Sequence, residues 1–207
     1  MKNYYPGVFE LYYGPMKSGK SKALIDRVHE FDKHLTPYYL IIKPDVDTRN
    51  SGLYSRCYDN KEKECLFTKA DKPEKILNHI YQLENIGDIY DVIIMDELQF
   101  FGKGIDSVIE ELIHNNKHVI GAGLDTDWRG NYFGEMGTLM AKARITHPLY
   151  GVCEYKGCHE PSVRTQKLTN GNPTPYSNLI IEIENSKDSI HYETRCLEHH
   201  IVPTRLK

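Results

Sequence analysis

Apolar and polar positions follow two rhythms along this chain. Residues 9–13 form a short apolar and aromatic run suited to a strand, and Ala23, Leu24, Val28 and Phe31 recur at helical spacing within 21–35. The stretch from Tyr38 to Lys43 predicts a second buried strand, which Pro44 ends. Residues 45–63 are polar and keep no period, so a long loop is expected there. Ile76, Leu77, Ile80 and Leu83 lie on one face of an amphipathic helix over 72–83, with Pro73 in its first turn. A strand over 91–95, a helix over 104–115 and a strand over 117–122 follow. Strand and helix alternating in this way predict an α/β fold. A parallel sheet carries helices on both faces, and ligands bind at the C-terminal ends of the strands.

Beyond Gly134 the texture changes. One more helix is expected over 135–143, and then short strands over 149–158, 162–168, 179–184 and 190–195, with Pro173 and Pro175 in an intervening turn. The change divides the chain into an α/β unit, 1–145, and a smaller C-terminal unit, 146–207. A chain of 207 residues can hold one good-sized core with such an appendage. The net charge of −3 gives no overall pull towards nucleic acid or anionic membrane. No apolar run approaches the roughly 20 residues of a membrane span, and residues 1–6 carry no signal-peptide core. A cytoplasmic protein is expected, in which the five cysteines are thiols or metal ligands before they are disulfides. Cys57 and Cys65 have no neighbours that complete a metal site and read as plain thiols.

The candidate chemistry begins at Gly14-Pro15-Met16-Lys17-Ser18-Gly19-Lys20-Ser21, which fits the phosphate-binding pattern G-x-x-x-x-G-K-[ST] between a strand and a helix. Such a loop wraps phosphates in backbone N–H groups. Its lysine reaches the outer phosphates, and its Ser hydroxyl can ligate Mg²⁺. Val92-Ile93-Ile94-Met95-Asp96 has the form of the second nucleotide motif, with Asp96 as a Mg²⁺ ligand opposite Ser21. Glu97 follows, placed to take a proton from whatever attacks the γ-phosphate. The pair leaves two reaction classes open, phosphoryl transfer to an alcohol or hydrolysis coupled to motion. Cys153 and Cys158, with Cys196-Leu197-Glu198-His199-His200 further on, suit a structural tetrahedral Zn²⁺. His199 is the better-spaced fourth ligand and His200 the reserve.

With these parts in order, the chain resembles the zinc-containing, type II thymidine kinases. The matching stretches are Tyr13 to Ser21, Asp47-Thr48-Arg49, Asp96-Glu97-Leu98-Gln99-Phe100-Phe101, and Gly123 to Gly130 continued by Phe133-Gly134. Thr165 to Leu168 and Tyr192 also match. The resemblance implies a P-loop NTPase-type sheet with a small zinc-ribbon-like domain, whose lasso loop closes over the nucleoside. It implies ATP-dependent, Mg²⁺-dependent phosphorylation of the 5′-hydroxyl of thymidine, and of deoxyuridine, giving dTMP for DNA synthesis. Glu97 would be the base, and Lys20 and Arg49 would serve the phosphates. Met16, Phe101, Leu124, Trp128, Phe133, Thr165 and Tyr192 would hold the nucleoside. A homotetramer, feedback by dTTP, and no nucleic-acid or membrane partner belong to the same expectation. The competing readings are a P-loop ATPase acting on nucleic acid, and a nucleoside- or nucleotide-binding protein without turnover. The chain departs from the family pattern at Lys17, in the wide Cys153–Cys158 spacing, and in a stretch over 184–192 that lacks the adjacent glycines the family often carries.

Overall fold

The computed structural model describes residues 4–34, 38–46, 52–53, 63–182 and 189–203. The chain opens with β1 (Phe9–Tyr13), the phosphate-loop segment and α1 (Lys20–His34), then β2 (Tyr39–Pro44). A two-residue antiparallel pair, β3 (Gly52–Leu53) with β4 (Lys63–Glu64), precedes β5 (Leu66–Thr68) and α2 (Lys75–Asn85). Next come β6 (Val92–Met95), a single 3₁₀ turn over Leu98–Phe100, α3 (Ile105–His114) and β7 (His118–Gly123). The main sheet is completed after α4 (Met136–Lys142) by β8 (Ile145–Pro148).

That sheet has six strands in the order β5-β2-β6-β7-β1-β8, and every pairing in it is parallel. The α/β expectation is met. The side-chain period of a strand explains the core. In β6, Val92 and Ile94 join the cluster beneath α1, while Ile93 and Met95 join the cluster beneath α2, α3 and α4. All four are fully buried, as in a sheet covered on both faces. Leu24, Ile25, Val28 and Phe31 seat α1 with at most 1% exposure. Each such side chain contributes about 1.5–3 kcal/mol on burial. The sixth strand, β8, runs to Pro148, so a division of the chain after residue 145 falls inside this sheet.

The C-terminal part is antiparallel. β9 (Gly151–Val152) pairs with β10 (Pro161–Ser162). β11 (Arg164–Thr169) lies between β12 (Asn172–Pro173) and β13 (Ile190–Arg195). Two expectations need correcting. Of 149–158 only Gly151–Val152 is strand, because the rest turns around the cysteines. Residues 179–182 form no strand, since their backbone is held by side chains rather than by a ladder. Among the described residues no helix is long and apolar enough to cross a membrane.

Candidate active site

The phosphate-loop segment leaves β1 at the C-terminal edge of the sheet and enters the N-terminus of α1, where the helix dipole favours an anion. Two of its glycines are there for different reasons. Gly19 has φ +89°, and a Cβ there would meet nothing within 4 Å, so the requirement is conformational. At Gly14 a Cβ would come within 2.1 Å of the Leu149 carbonyl oxygen, so close approach adds to a φ of +153°. The Lys20 ammonium donates to the carbonyls of Gly14 (3.2 Å) and Pro15 (2.5 Å), which holds it against the loop it serves.

β6 lies one strand away from β1, with β7 between them, and it delivers Asp96 and Glu97 at the same edge. Asp96 is buried, and its Oδ1 accepts the Glu97 backbone N–H at 2.9 Å. Glu97 is left-handed (φ 54°, ψ 42°) although it carries a side chain. A strained residue of this kind persists where its surroundings over-determine it. The Gln99 side-chain amide donates to Glu97 Oε2 at 2.5 Å and accepts the Leu124 N–H at 2.9 Å. Asp125, just beyond β7, is partly buried, and burial pushes its carboxyl up from the ordinary value against the pull of Arg164 and Lys20.

Trp128, Ile190 and Tyr192 form a small apolar cluster of their own, and Met16 of the phosphate loop packs against it. Thr165 is buried, and its hydroxyl accepts the Met16 N–H at 3.0 Å. Phe133 meets Phe100 edge-on at 5.6 Å, and Phe101 instead lies in the main core with Ile105 and Val108. Of the two phenylalanines it is therefore Phe100 that meets Phe133. Residues 176–182 are strapped across this region. Trp128 Nε1 donates to the Leu179 carbonyl (3.4 Å), the Tyr192 hydroxyl to that of Glu182 (3.0 Å), and Arg129 to that of Ser177 (3.3 Å). Lys167, only 2% exposed, pairs with Glu182 and places its ammonium 5.1 Å from the Trp128 ring centroid.

Lys17 turns away from the loop. Its ammonium meets both Glu154 carboxylate oxygens (2.9 and 3.0 Å) and the Tyr192 carbonyl (3.0 Å), tying the loop to the C-terminal part. Arg49 lies outside the described residues, as do Asp47, Thr48, Cys57 and 184–188 of the glycine-poor stretch.

Cys153, Cys158, Cys196 and His199 bring one ligand atom each within 4.8 Å of one another. Zn–S and Zn–N bonds of about 2.3 and 2.0–2.1 Å in a tetrahedron would put ligand atoms about 3.5–3.8 Å apart. The separations here bracket that value: Cys158 Sγ to Cys196 Sγ is 4.0 Å, Cys153 Sγ to His199 Nδ1 is 3.9 Å, and Cys196 Sγ to His199 Nδ1 is 3.2 Å. The donor set fits structural zinc, with Tyr155 stacked on the His199 ring at 4.1 Å. His200 is not part of the cluster. Its Nε2 donates to the Trp128 carbonyl at 3.2 Å, and burial lowers its pKa.

Sequence reasoning passed over Gln99, Glu154 and Lys167 as individual residues. Gln99 had a usable signal, being a lone amide inside the run Leu98, Phe100, Phe101. Glu154 and Lys167 had none, because Lys17 is far from Glu154 in sequence and Glu182 lies in a segment outside any strand.

Domain III of the Thermotoga maritima replication initiation protein DnaA is a similar solved structure, at 13% identity and a TM-score of 0.38, over 72% of this chain and 56% of that one. The chain thus spans about half the length of that structure, and a likeness this distant carries no argument. A family model for thymidine kinase matches residues 7–200, which takes in the phosphate-loop segment, the carboxylate pair and the cysteine and histidine cluster together. On that match the chain belongs to the thymidine kinase family.

Proposed function

We propose that this chain transfers the γ-phosphoryl group of ATP to the 5′-hydroxyl of thymidine, and of deoxyuridine, to give the nucleoside monophosphate used in DNA synthesis. One observation carries the reading furthest. Met16 belongs to the phosphate loop and also packs against Trp128, Ile190 and Tyr192, so the loop has a phosphate side and an aromatic side. An ATPase that activates water has no need of an aromatic compartment there, whereas a flat pyrimidine does.

In this reading the loop N–H groups, Ser18 and Lys20 hold the ATP phosphates, and Arg49 contacts the phosphoryl group in transit. Ser21 and Asp96 supply oxygen ligands suited to Mg²⁺, which would neutralise charge on the outer phosphates. Glu97 accepts the 5′-hydroxyl proton as the new O–P bond forms, and ADP leaves as the bond to the β-phosphate oxygen breaks. Met16, Phe100, Leu124, Trp128, Phe133, Thr165 and Tyr192 surround the nucleoside. Phe101 holds the core beneath them rather than the base. The part of the chain after β8 acts as the zinc-stabilised lid. A homotetramer in the cytoplasm, restrained by dTTP and without a nucleic-acid partner, completes the proposal.

The test is transfer of label from γ-³²P-ATP to a panel of nucleosides with zinc-loaded protein. Labelled dTMP and dUMP are expected. Label released only as inorganic phosphate would point to an ATPase, and tight thymidine binding without transfer to a protein that has lost turnover. Either result overturns the proposal.

A further inference from the structure

Gln99 has no role in the reaction as described so far, yet its side chain is buried and held at both ends. It is 2% exposed, and each end of its amide has a partner. The Leu124 N–H is a fixed donor, so the atom 2.9 Å from it is the amide oxygen. That settles the flip, and the NH₂ therefore faces Glu97 Oε2 at 2.5 Å. The surrounding backbone leaves Gln99 little freedom. A Cβ on Gly134 would come within 2.4 Å of the Gln99 carbonyl oxygen, and one on Gly123 within 3.0 Å of its side-chain oxygen. Both glycines let the end of β7 and the chain after it close upon Gln99.

We infer that Gln99 is a positioning residue for Glu97, fixing the catalytic carboxylate relative to the Leu124 wall of the nucleoside pocket. The inference rests on the kinase reading above. A base one ångström out of place loses much of its effect, since transfer requires the hydroxyl, the base and the phosphoryl group in one geometry. Gln99 makes the distance between base and pocket wall a property of a single rigid amide. Its side-chain hydrogen bonds go to Glu97 and Leu124 rather than to the phosphate loop or a metal ligand, so ATP binding is expected to be independent of it.

The experiment compares steady-state kinetics of the wild-type protein, Gln99→Glu, Glu97→Gln and the double variant. Gln99→Glu keeps the volume and the acceptor for Leu124. It replaces the amide donor by a second carboxyl, whose shared proton or negative charge takes Glu97 out of service. The expected result is a fall in kcat of at least tenfold with KM for ATP within twofold. Added to Glu97→Gln, the same change should cost less than twofold, because no base remains to be positioned. Thermal melting confirms folding. If Gln99→Glu does not fold, Gln99→Met is read in the same cycle. A kcat within twofold of wild type, or a loss carried undiminished into the Glu97→Gln background, overturns the inference and leaves the kinase reading standing. Absence of wild-type transfer to any pyrimidine deoxynucleoside overturns that reading, and the inference with it.

Discussion

Glu97 concentrates more constraint than a surface carboxylate needs: a left-handed backbone, an N–H capped by Asp96, and a Gln99 amide on its side chain. In the proposed reaction, replacing it with Gln removes the acceptor of the hydroxyl proton while keeping the planar shape of the side chain. The expected effect is a loss of about 100-fold or more in kcat, the usual worth of a positioned base, with ATP affinity by calorimetry nearly unchanged. Retention of near-wild-type kcat would assign the base elsewhere. A second buried carboxylate, Glu10, has a purely structural part. It is 4% exposed, with Tyr12 Oη at 2.7 Å, His147 Nε2 at 3.0 Å, His118 Nε2 at 3.2 Å and an Arg27 nitrogen at 3.5 Å. Burial alone would raise its pKa, but His118, Tyr12 and Arg27 together hold it down at about 2, from an ordinary 4.5. A carboxylate lowered on folding stabilises the protein above pH 4.5 and loses that contribution as the pH falls to about 2. Glu10→Gln should therefore lower the melting temperature near neutrality and flatten its fall between those two pH values. An unchanged acid limb in calorimetry would show that the ring of partners does not act on Glu10.

At the scale of elements, the strands buried on both faces were legible and the edges were not. β6 reads from four consecutive apolar residues because both of its faces are covered, and α1 reads from its apolar stripe. β5 and β8 escaped because they are the outermost strands of the sheet and only three and four residues long. In β8, Ile145 and His147 are half-buried while Thr146 and Pro148 are exposed, and so mixed a pattern announces nothing until β1 is beside it. The opposite error fell on Leu179-Ile180-Ile181. These look like a strand, yet they are exposed, and side chains of Trp128 and Tyr192 donate to the carbonyls of Leu179 and Glu182. Lys17 shows the same limit at the site. Its place in the loop puts a charge beside the phosphates, and only the fold could supply Glu154 and the Tyr192 carbonyl. Because the Lys17–Glu154 pair is about 40% exposed, its removal should cost at most about 1 kcal/mol, or up to about fivefold in an affinity. Lys17→Met should put that cost into KM for thymidine and leave KM for ATP alone. A rise confined to ATP would return Lys17 to the phosphates.

For the whole molecule, the two ends of the proposed site rest on different sources of stability. The phosphate loop and the carboxylate pair stand on a six-stranded sheet with two large apolar clusters. Thr165, Tyr192 and the strap over 176–182 stand on β11 and β13, whose own apolar cluster is Trp128, Ile190 and Tyr192. So small a core is ordinarily supplemented by a metal or a disulfide, and the Cys153, Cys158, Cys196 and His199 cluster is placed to hold a metal. One zinc per chain is expected by metal analysis, and its removal should act on one end of the site before the other. With a chelator at moderate temperature, amide exchange should rise across 150–203 while β1, β6 and β7 stay protected. Thymidine affinity should fall at least tenfold while ATP still binds. Cys196→Ser should reproduce this without chelator. The order of loss is the discriminating reading. If β1 and β13 lose protection together, the molecule unfolds as one cooperative unit and the zinc stabilises all of it. If neither changes and metal-free protein binds thymidine as before, packing of the C-terminal sheet against Met16 and Trp128 suffices to close the pocket.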